Sequence, residues 1–330
     1  MTNYLLEIEN LQKSFPLRKQ TAGLFSKKEQ MLAVDNLSFH IKEGETYGLV
    51  GESGCGKSTT GRMIVGLEKP SDGSIVYQGK DLGTLNDKEF FPLRKDLQMV
   101  FQNTLSALNP RQRIGSILED ILKVHGVTNT TERREQVIDV LEKVGLSEYH
   151  YFRFPHELSG GQVQRLGIAS ALVIKPRLII CDEPVSALDV SIQAQVLNTL
   201  MELQQELHLS LLFISHDIGV IRYISDRIGV MYLGTLVEEA DTDELFNNPL
   251  HPYTEGLFAS VPDPYLRKEK MSDLKGEQPV RTKAFKGCAF CNRCPYVMDK
   301  CAEETPEFLE VSSGHRVACY LYEGKKFAVL

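Results

Sequence analysis

The sequence predicts an α/β fold, a largely parallel sheet covered by helices, with a small cysteine-rich domain appended near its C-terminal end. Three observations predict it. Strand-like and helix-like runs alternate through the middle of the chain, and a glycine-rich turn follows an apolar strand near residue 50. Beyond about residue 260 the texture changes to proline, charge and cysteine, with five of the seven cysteines lying between Cys288 and Cys319.

At 330 residues the chain can bury a full core, and length alone points to about two domains. A net charge of −7 with no long basic run argues against a nucleic-acid partner, because Lys and Arg drive sequence-independent binding to phosphates. No apolar stretch approaches the roughly 18–20 residues that span a bilayer. The most apolar segment, Leu209 to Ile221, is interrupted by His216 and Asp217. The N-terminus lacks a basic region and a long apolar core, so the chain is expected in the cytoplasm, reaching a membrane only through partners.

Taken in order, Leu5–Phe15 alternates apolar and polar residues and predicts a strand entering a turn. A polar, basic stretch, Leu17–Gln30, reads as an inserted loop. Strands resume at Ala33–Ile41 and Thr46–Val50. From Arg133 to Val144 the spacing of Val137, Val140, Leu141 and Val144 is helical, with Gly145 as the stop. A helix then follows Gly160, a strand Arg177–Cys181, a helix Asp189, a strand Ser210–Ser215 and a helix Asp217.

The residues Gly51, Glu52, Ser53, Gly54, Cys55, Gly56, Lys57, Ser58 and Thr59 spell the phosphate-loop pattern G-x-x-x-x-G-K-[ST] after an apolar strand. Glycines let backbone N–H groups wrap phosphates, Lys57 supplies a point charge, and Ser58 offers a hydroxyl to Mg²⁺. Leu178 to Glu183 is an apolar strand ending in two acids. On its own it is a buried strand with a surface turn. Beside a phosphate loop, Asp182 becomes the expected Mg²⁺ acid, and Glu183 can polarise an attacking water. Ser159, Gly160, Gly161 and Gln162 open a predicted helix and form another anion-binding turn, which suggests nucleotide shared between two chains.

With these motifs in place the chain resembles the ATP-binding-cassette (ABC) ATPases. The resemblance implies a P-loop nucleotide-binding domain, residues 1–260, with a mixed sheet core and a helical subdomain at about 105–175. It also places Gln102 in the glutamine loop, the signature at Leu158–Gln162, the dimer loop at Ser186–Asp189 and the switch histidine at His216. Phe15 falls where the family sets an aromatic under adenine; the plainer reading is a core Phe at a strand end. In that family two cassettes sandwich two ATP molecules, each held by one chain's phosphate loop and the other's signature. The resemblance thus implies ATP and Mg²⁺ as ligands, with Ser58, Gln102 and Asp182 on Mg²⁺. It assigns Glu183, His216 and Gln102 to catalysis, and Asp189 with the signature residues to nucleotide binding.

Finer features narrow the match. Phe154 to Gly161, Asp182 to Val196 and His251-Pro252-Tyr253-Thr254 look like the oligopeptide/dipeptide importer branch, and the Gly-Cys-Gly of the phosphate loop resembles its F-type subunit. Implied partners are a D-type ATPase subunit as heterodimer mate, two transmembrane permease subunits and an extracytoplasmic peptide-binding protein. The implied location is the cytoplasmic face of the cell membrane. A nickel or other small-solute cargo is the first alternative, and a soluble cassette acting on DNA or ribosomes is the remote one. Asn103-Thr104, Val163 and Ser170 depart from the family pattern.

Cys288, Cys291, Cys294, Cys301 and Cys319 suit zinc or an iron–sulfur cluster by spacing. The resemblance selects Cys288, Cys294, Cys301 and Cys319 as holders of a [4Fe–4S] cluster in a domain of residues 261–330, with zinc or no metal at all as the alternatives and Cys291 as an extra thiol.

Overall fold

A computed structural model describes residues 4–16, 30–259, 281–282 and 285–324. Most of the predicted insertion at 17–30 and the predicted boundary at 260/261 lie outside the described residues. The chain divides into two compact units. One comprises the described residues of Met1–His40, Tyr47–Gly83 and His216–Leu330, and the other Ile41–Thr46 and Thr84–Ser215.

Strands of the first unit are β1 (Tyr4–Pro16), β2 (Gln30–Lys42), β3 (Thr46–Val50), β4 (Asp72–Tyr77) and β5 (Lys80–Asp81). The second unit holds β6 (Leu97–Val100), β7 (Leu178–Asp182) and β8 (Ser210–Ser215). The first unit then resumes with β9 (Arg227–Tyr232), β10 (Thr235–Asp241), β11 (Leu309–Ser312) and β12 (His315–Val317). Within the first unit one sheet has the order β2-β1-β4-β5, and β11-β12-β10-β9-β3 forms a second array. In the second unit β8-β7-β6 run parallel.

The mixed sheet that the resemblance implied is present: the alternating strands of the second unit pair in parallel, and antiparallel pairs join those of the first. In the first unit β1 pairs antiparallel with β4, and β4 with β5. β10 pairs antiparallel with both β9 and β12, whereas β3 and β9 pair in parallel. Alternation of strand and helix forces parallel pairing only where a helix crosses over; strands joined by a tight turn must reverse. The β9–β10 hairpin turns through Leu233 and Gly234, both at positive φ (45° and 87°), as a two-residue hairpin loop requires.

Helices follow their local chemistry. The helix predicted from Arg133 begins at Thr130, because the Asn129 side chain accepts the Thr131 and Glu132 N–H groups at 2.9 and 3.3 Å. Val137, Val140 and Leu141 are its buried stripe, and Gly145 at φ 73° closes it. Strands β3, β7, β8 and β9 are buried along their whole length, as expected of strands covered on both faces. Cys181 lies buried within β7. No helix among the described residues is long and apolar enough to cross a membrane.

Candidate nucleotide site

In the first unit, β3 delivers Gly51 through Gly56 to the start of the helix Lys57–Ile64. Gly56 sits at φ 106°, and a Cβ there would lie 2.1 Å from the Ala33 carbonyl oxygen. Gly51 would bring a Cβ equally close, 2.1 Å, to the Met231 carbonyl oxygen. Backbone cannot yield as a side-chain tip can, so the loop is moulded against its own unit. The Lys57 side chain, only 5% exposed as a residue, curls back and donates to the Gly51 and Glu52 carbonyls at 2.7 and 3.0 Å. Its Nζ also lies 3.6 Å from Cys55 Sγ. Burial pushes the Cys55 thiol up, with Lys57 opposing, and the Cys55 carbonyl accepts the Gly234 N–H at 2.9 Å. Ser53 and Gly54 are exposed, while Ser58 and Thr59 are half-buried. Phe15 is half-buried near the end of β1, with the Lys13 ammonium 5.0 Å from its ring centroid. Free N–H groups at a helix start beside a lysine form an anion cradle. His216 is exposed, and Asp217 after it caps the helix Ile218–Ile224 by accepting the Val220 N–H at 3.1 Å.

The second unit carries the acids. β6 and β7 are parallel with Val100 opposite Cys181. That register carries Gln102 and Glu183, each two residues further along its chain, to the same sheet end. There Gln102 Nε2 donates to Glu183 Oε2 at 2.7 Å. Glu183 adopts φ 49°, a left-handed backbone that costs a non-glycine residue roughly 1–2 kcal/mol. It is held there by its N–H on the Ile214 carbonyl, at 2.9 Å, and by Ser186 Oγ donating to its own carbonyl, at 3.2 Å. Held strain of this kind gathers at sites that must present a side chain in one direction. Asp182, 2% exposed, closes the apolar strand β7.

The signature turn precedes the helix Gly160–Leu172. The Gln162 carboxamide accepts the Ser159 N–H at 3.0 Å, and its Nε2 lies 3.3 Å from His150 Nε2. Ser159 and Gly160 are exposed, and so are Asp189 and Val190 at the start of the helix Val190–Leu207. Val190 is 83% exposed. The departing pair also finds its place. Asn103 caps the short helix Thr104–Ala107, and Thr104 Oγ1 donates to the Phe101 carbonyl and Gln164 Oε1, both at 3.1 Å.

The five C-terminal cysteines are free thiols. Burial pushes Cys288 up to about 12, with Cys301, Cys319 and Cys291 acting in the same direction. Burial likewise pushes Cys319 up to about 11, reinforced by Cys294 and Cys301. The Cys288 N–H donates to the Cys301 carbonyl at 2.7 Å. Thiols suit a soft metal, and these sense one another's charge. Yet no three His, Cys, Asp or Glu side chains among the described residues stand arranged to hold a metal ion.

Comparison with known proteins gives the chemistry a family. Residues 34–186 match the family model described as ABC transporter, and residues 237–301 match that of the oligopeptide/dipeptide transporter C-terminal region. The oligopeptide transport ATP-binding protein AppF of Bacillus subtilis is 50% identical over 96% of this chain and 97% of its own length. The chain belongs to the ATP-binding subunits of the oligopeptide/dipeptide ABC transporters. Family members OppF of Escherichia coli (48% identical, covering 96% of this chain and 95% of that protein) and the dipeptide transport protein DppF of Haemophilus influenzae (46%, 96% and 96%) are similar along the same span. Among solved structures, the ADP- and phosphate-bound dimer of the cassette MJ0796 matches with a TM-score of 0.63 at 30% identity, covering 72% of this chain and 98% of that one. The protein is accordingly an ABC-type ATPase with the P-loop cassette fold.

Sequence reasoning missed the residues of this ABC subunit that brace its phosphate loop. Tyr253 was legible only as part of a branch marker and Arg293 only as a residue between cysteines. The buried acids Glu238 and Glu239 also went unread. Glu239 accepts from Tyr47 and Arg227, each at 2.8 Å, and from Arg316 at 2.9 Å. Adjacent buried carboxylates break the apolar pattern of a strand, and that break was the available signal.

Proposed function

We propose that the chain hydrolyses ATP to energise uptake of oligopeptides or dipeptides through a membrane permease. The observation that carries the catalytic reading is the Gln102–Glu183 hydrogen bond beside a left-handed Glu183. It supports Glu183 as the group that orients and polarises water, with Gln102 holding its carboxylate in direction. Lys57 and the loop N–H groups hold the β- and γ-phosphates, and His216 contacts the γ-phosphate. Phe15 lies against adenine. Ser58, Asp182 and Gln102 would hold Mg²⁺; their hydroxyl, carboxylate and amide oxygens are the donors a hard cation takes. When bound, the ion neutralises phosphate charge. Ser159, Gly160, Gly161, Gln162 and Asp189 meet the nucleotide of a second cassette, for which a D-type subunit is the proposed mate.

The peptide cargo rests on the relatives named for oligopeptide and dipeptide transport. Two permease subunits, an extracytoplasmic peptide-binding protein and a position on the cytoplasmic membrane face complete the reading. Residues 1–260 form the nucleotide-binding domain and 261–330 the cysteine-rich one. Cys288, Cys294, Cys301 and Cys319 would hold a [4Fe–4S] cluster, or zinc, since thiolates are the donors such groups take. Visible absorbance after anaerobic purification supports the cluster; a colourless protein with stoichiometric zinc replaces it.

Uptake of a labelled short peptide by cells lacking any other peptide importer tests the whole. Glu183→Gln at normal abundance should abolish it. Undiminished uptake would remove Glu183 from the chemistry, whereas no uptake even with the unaltered chain would remove peptide from the cargo.

A further inference from the structure

The phosphate loop is gripped by the cysteine-bearing segment of its own unit. Arg293 ends the short turn Cys291–Arg293, one residue before Cys294. Its side chain is 7% exposed and forks onto the Glu52 carboxylate, Nη1 to Oε2 at 2.9 Å and Nη2 to Oε1 at 3.1 Å. Nη1 also reaches the Tyr232 hydroxyl at 3.4 Å. Glu52 is the second residue of the phosphate loop and is held at two further points. Its N–H donates to the Tyr253 hydroxyl at 3.0 Å, and its carbonyl accepts from Lys57 at 3.0 Å. Behind these contacts Phe290, buried, packs edge-on against Tyr232 at 5.3 Å and tilted against Tyr253 at 5.5 Å.

Each contact has a distinct consequence. The fork fixes the direction of the Glu52 side chain, because a planar guanidinium and a planar carboxylate match in one orientation. The Tyr253 bond fixes the peptide plane between Gly51 and Glu52. The Lys57 bond ends on the carbonyl of that same residue, so moving Glu52 also moves the resting place of the lysine. Phosphate recognition depends on the directions of loop N–H groups and of Lys57. A loop that populates its receptive shape only part of the time binds with an affinity lowered by that fraction.

We propose that Arg293 is a positioning residue of the nucleotide site: acting through Glu52, it holds the phosphate loop in the shape that receives ATP. The cysteine-rich segment thereby becomes a structural part of the ATP site rather than an independent appendage. The proposal rests on reading Gly51–Thr59 as that site.

The test is ATP affinity of the full-length chain, read by equilibrium titration with a fluorescent ATP analogue, for Arg293→Gln, Arg293→Lys, Glu52→Gln and the double variant Arg293→Gln/Glu52→Gln. Each single change should weaken binding about tenfold, in proportion to the lost receptive fraction. Arg293→Lys should not restore it, since a lysine lacks the fork. The double variant should be no worse than either single one, because both remove the same interaction. In the assembled transporter KM for ATP should rise while kcat stays within about twofold, a split that general unfolding would not produce. Unchanged affinity in Glu52→Gln overturns the proposal even if the Arg293 variants fail to fold, and so does additivity in the double variant. Lys57→Ala guards the premise. If it too leaves affinity unchanged, the reading of the loop has failed; if it alone abolishes binding, only the role of Arg293 has.

Discussion

The phosphate loop and the signature turn are both glycine-bearing helix starts, yet the fold treats them in opposite ways. The loop at Gly51–Thr59 is built into its unit: Gly51 and Gly56 lie against backbone carbonyls, and Lys57 is curled onto the loop itself. The signature turn at Ser159–Gln162 stands exposed, braced by its own Gln162, with only the Ile192 side chain behind Gly161. A cradle complete in one chain can bind nucleotide alone. The signature's helix start instead stays exposed at the surface of its own unit.

Glu183→Gln draws the sharpest line between the two kinds of site. ATPase activity of the assembled transporter should fall by about 10²–10⁴-fold, the range for losing general-base action. ATP affinity of the single chain should stay within about twofold; a parallel loss of affinity would show that Glu183 supports binding as well as chemistry.

A pair of glycine substitutions makes the next comparison. Gly56→Ala forces a left-handed alanine, at roughly 1–2 kcal/mol, onto a fixed carbonyl 2.1 Å away. Single-chain ATP affinity should drop tenfold or more, on the order of 1.4 kcal/mol. Gly161→Ala meets the Ile192 side chain, its Cγ2 at 2.4 Å, and no fixed backbone carbonyl. It should spare single-chain binding and lower ATPase only in the assembly. If the two variants behave alike in the single chain, the contrast between cradle and surface is wrong.

Acid should loosen the first unit through His251. Burial lowers its pKa to about 4, with Glu238 opposing, and its Nδ1 accepts the Tyr253 N–H at 3.0 Å. A base depressed in the folded state contributes stability that is present above its unfolded pKa and lost as pH falls from there toward 4. The full loss is ~3 kcal/mol at 1.36 kcal/mol per unit. His315 has the opposite sign. Burial works against its charge, but the Glu238 and Glu244 carboxylates outweigh burial and raise it, so its contribution fades as pH rises through the folded value. Denaturant melts at pH 7 and 5 should show a net loss on acidification that shrinks in His251→Gln. The smallest effect is at the signature. Gln162→Ala removes the brace on the Ser159 N–H and should lower the stability of the single chain by about 0.5–1 kcal/mol in the same melts.

Much of this was legible in order along the chain. The phosphate loop, the acid pair and the signature each occupy a few consecutive residues, and apolar strands ending in glycine or acid announced β3 and β7. The β9–β10 hairpin was harder to see because Leu233-Gly234 lacks the Asn or Asp that usually marks such a turn. The helix at Thr130 started early because a cap acts through one side chain that interrupts no apolar pattern. Cysteine spacing pointed to a metal but could not say how the thiols face one another.

By itself the sequence determined what is written in neighbouring residues: the anion cradle, the acids that follow an apolar strand, and the family to which their order belongs. Only the tertiary structure decided which distant groups meet. Gln102 reaches Glu183 because two parallel strands share a register, and Arg293 reaches Glu52 across 241 positions of sequence. Local pattern cannot encode such meetings, because hydrogen bonds and ion pairs act over a few ångströms and only the closed chain brings those atoms within reach.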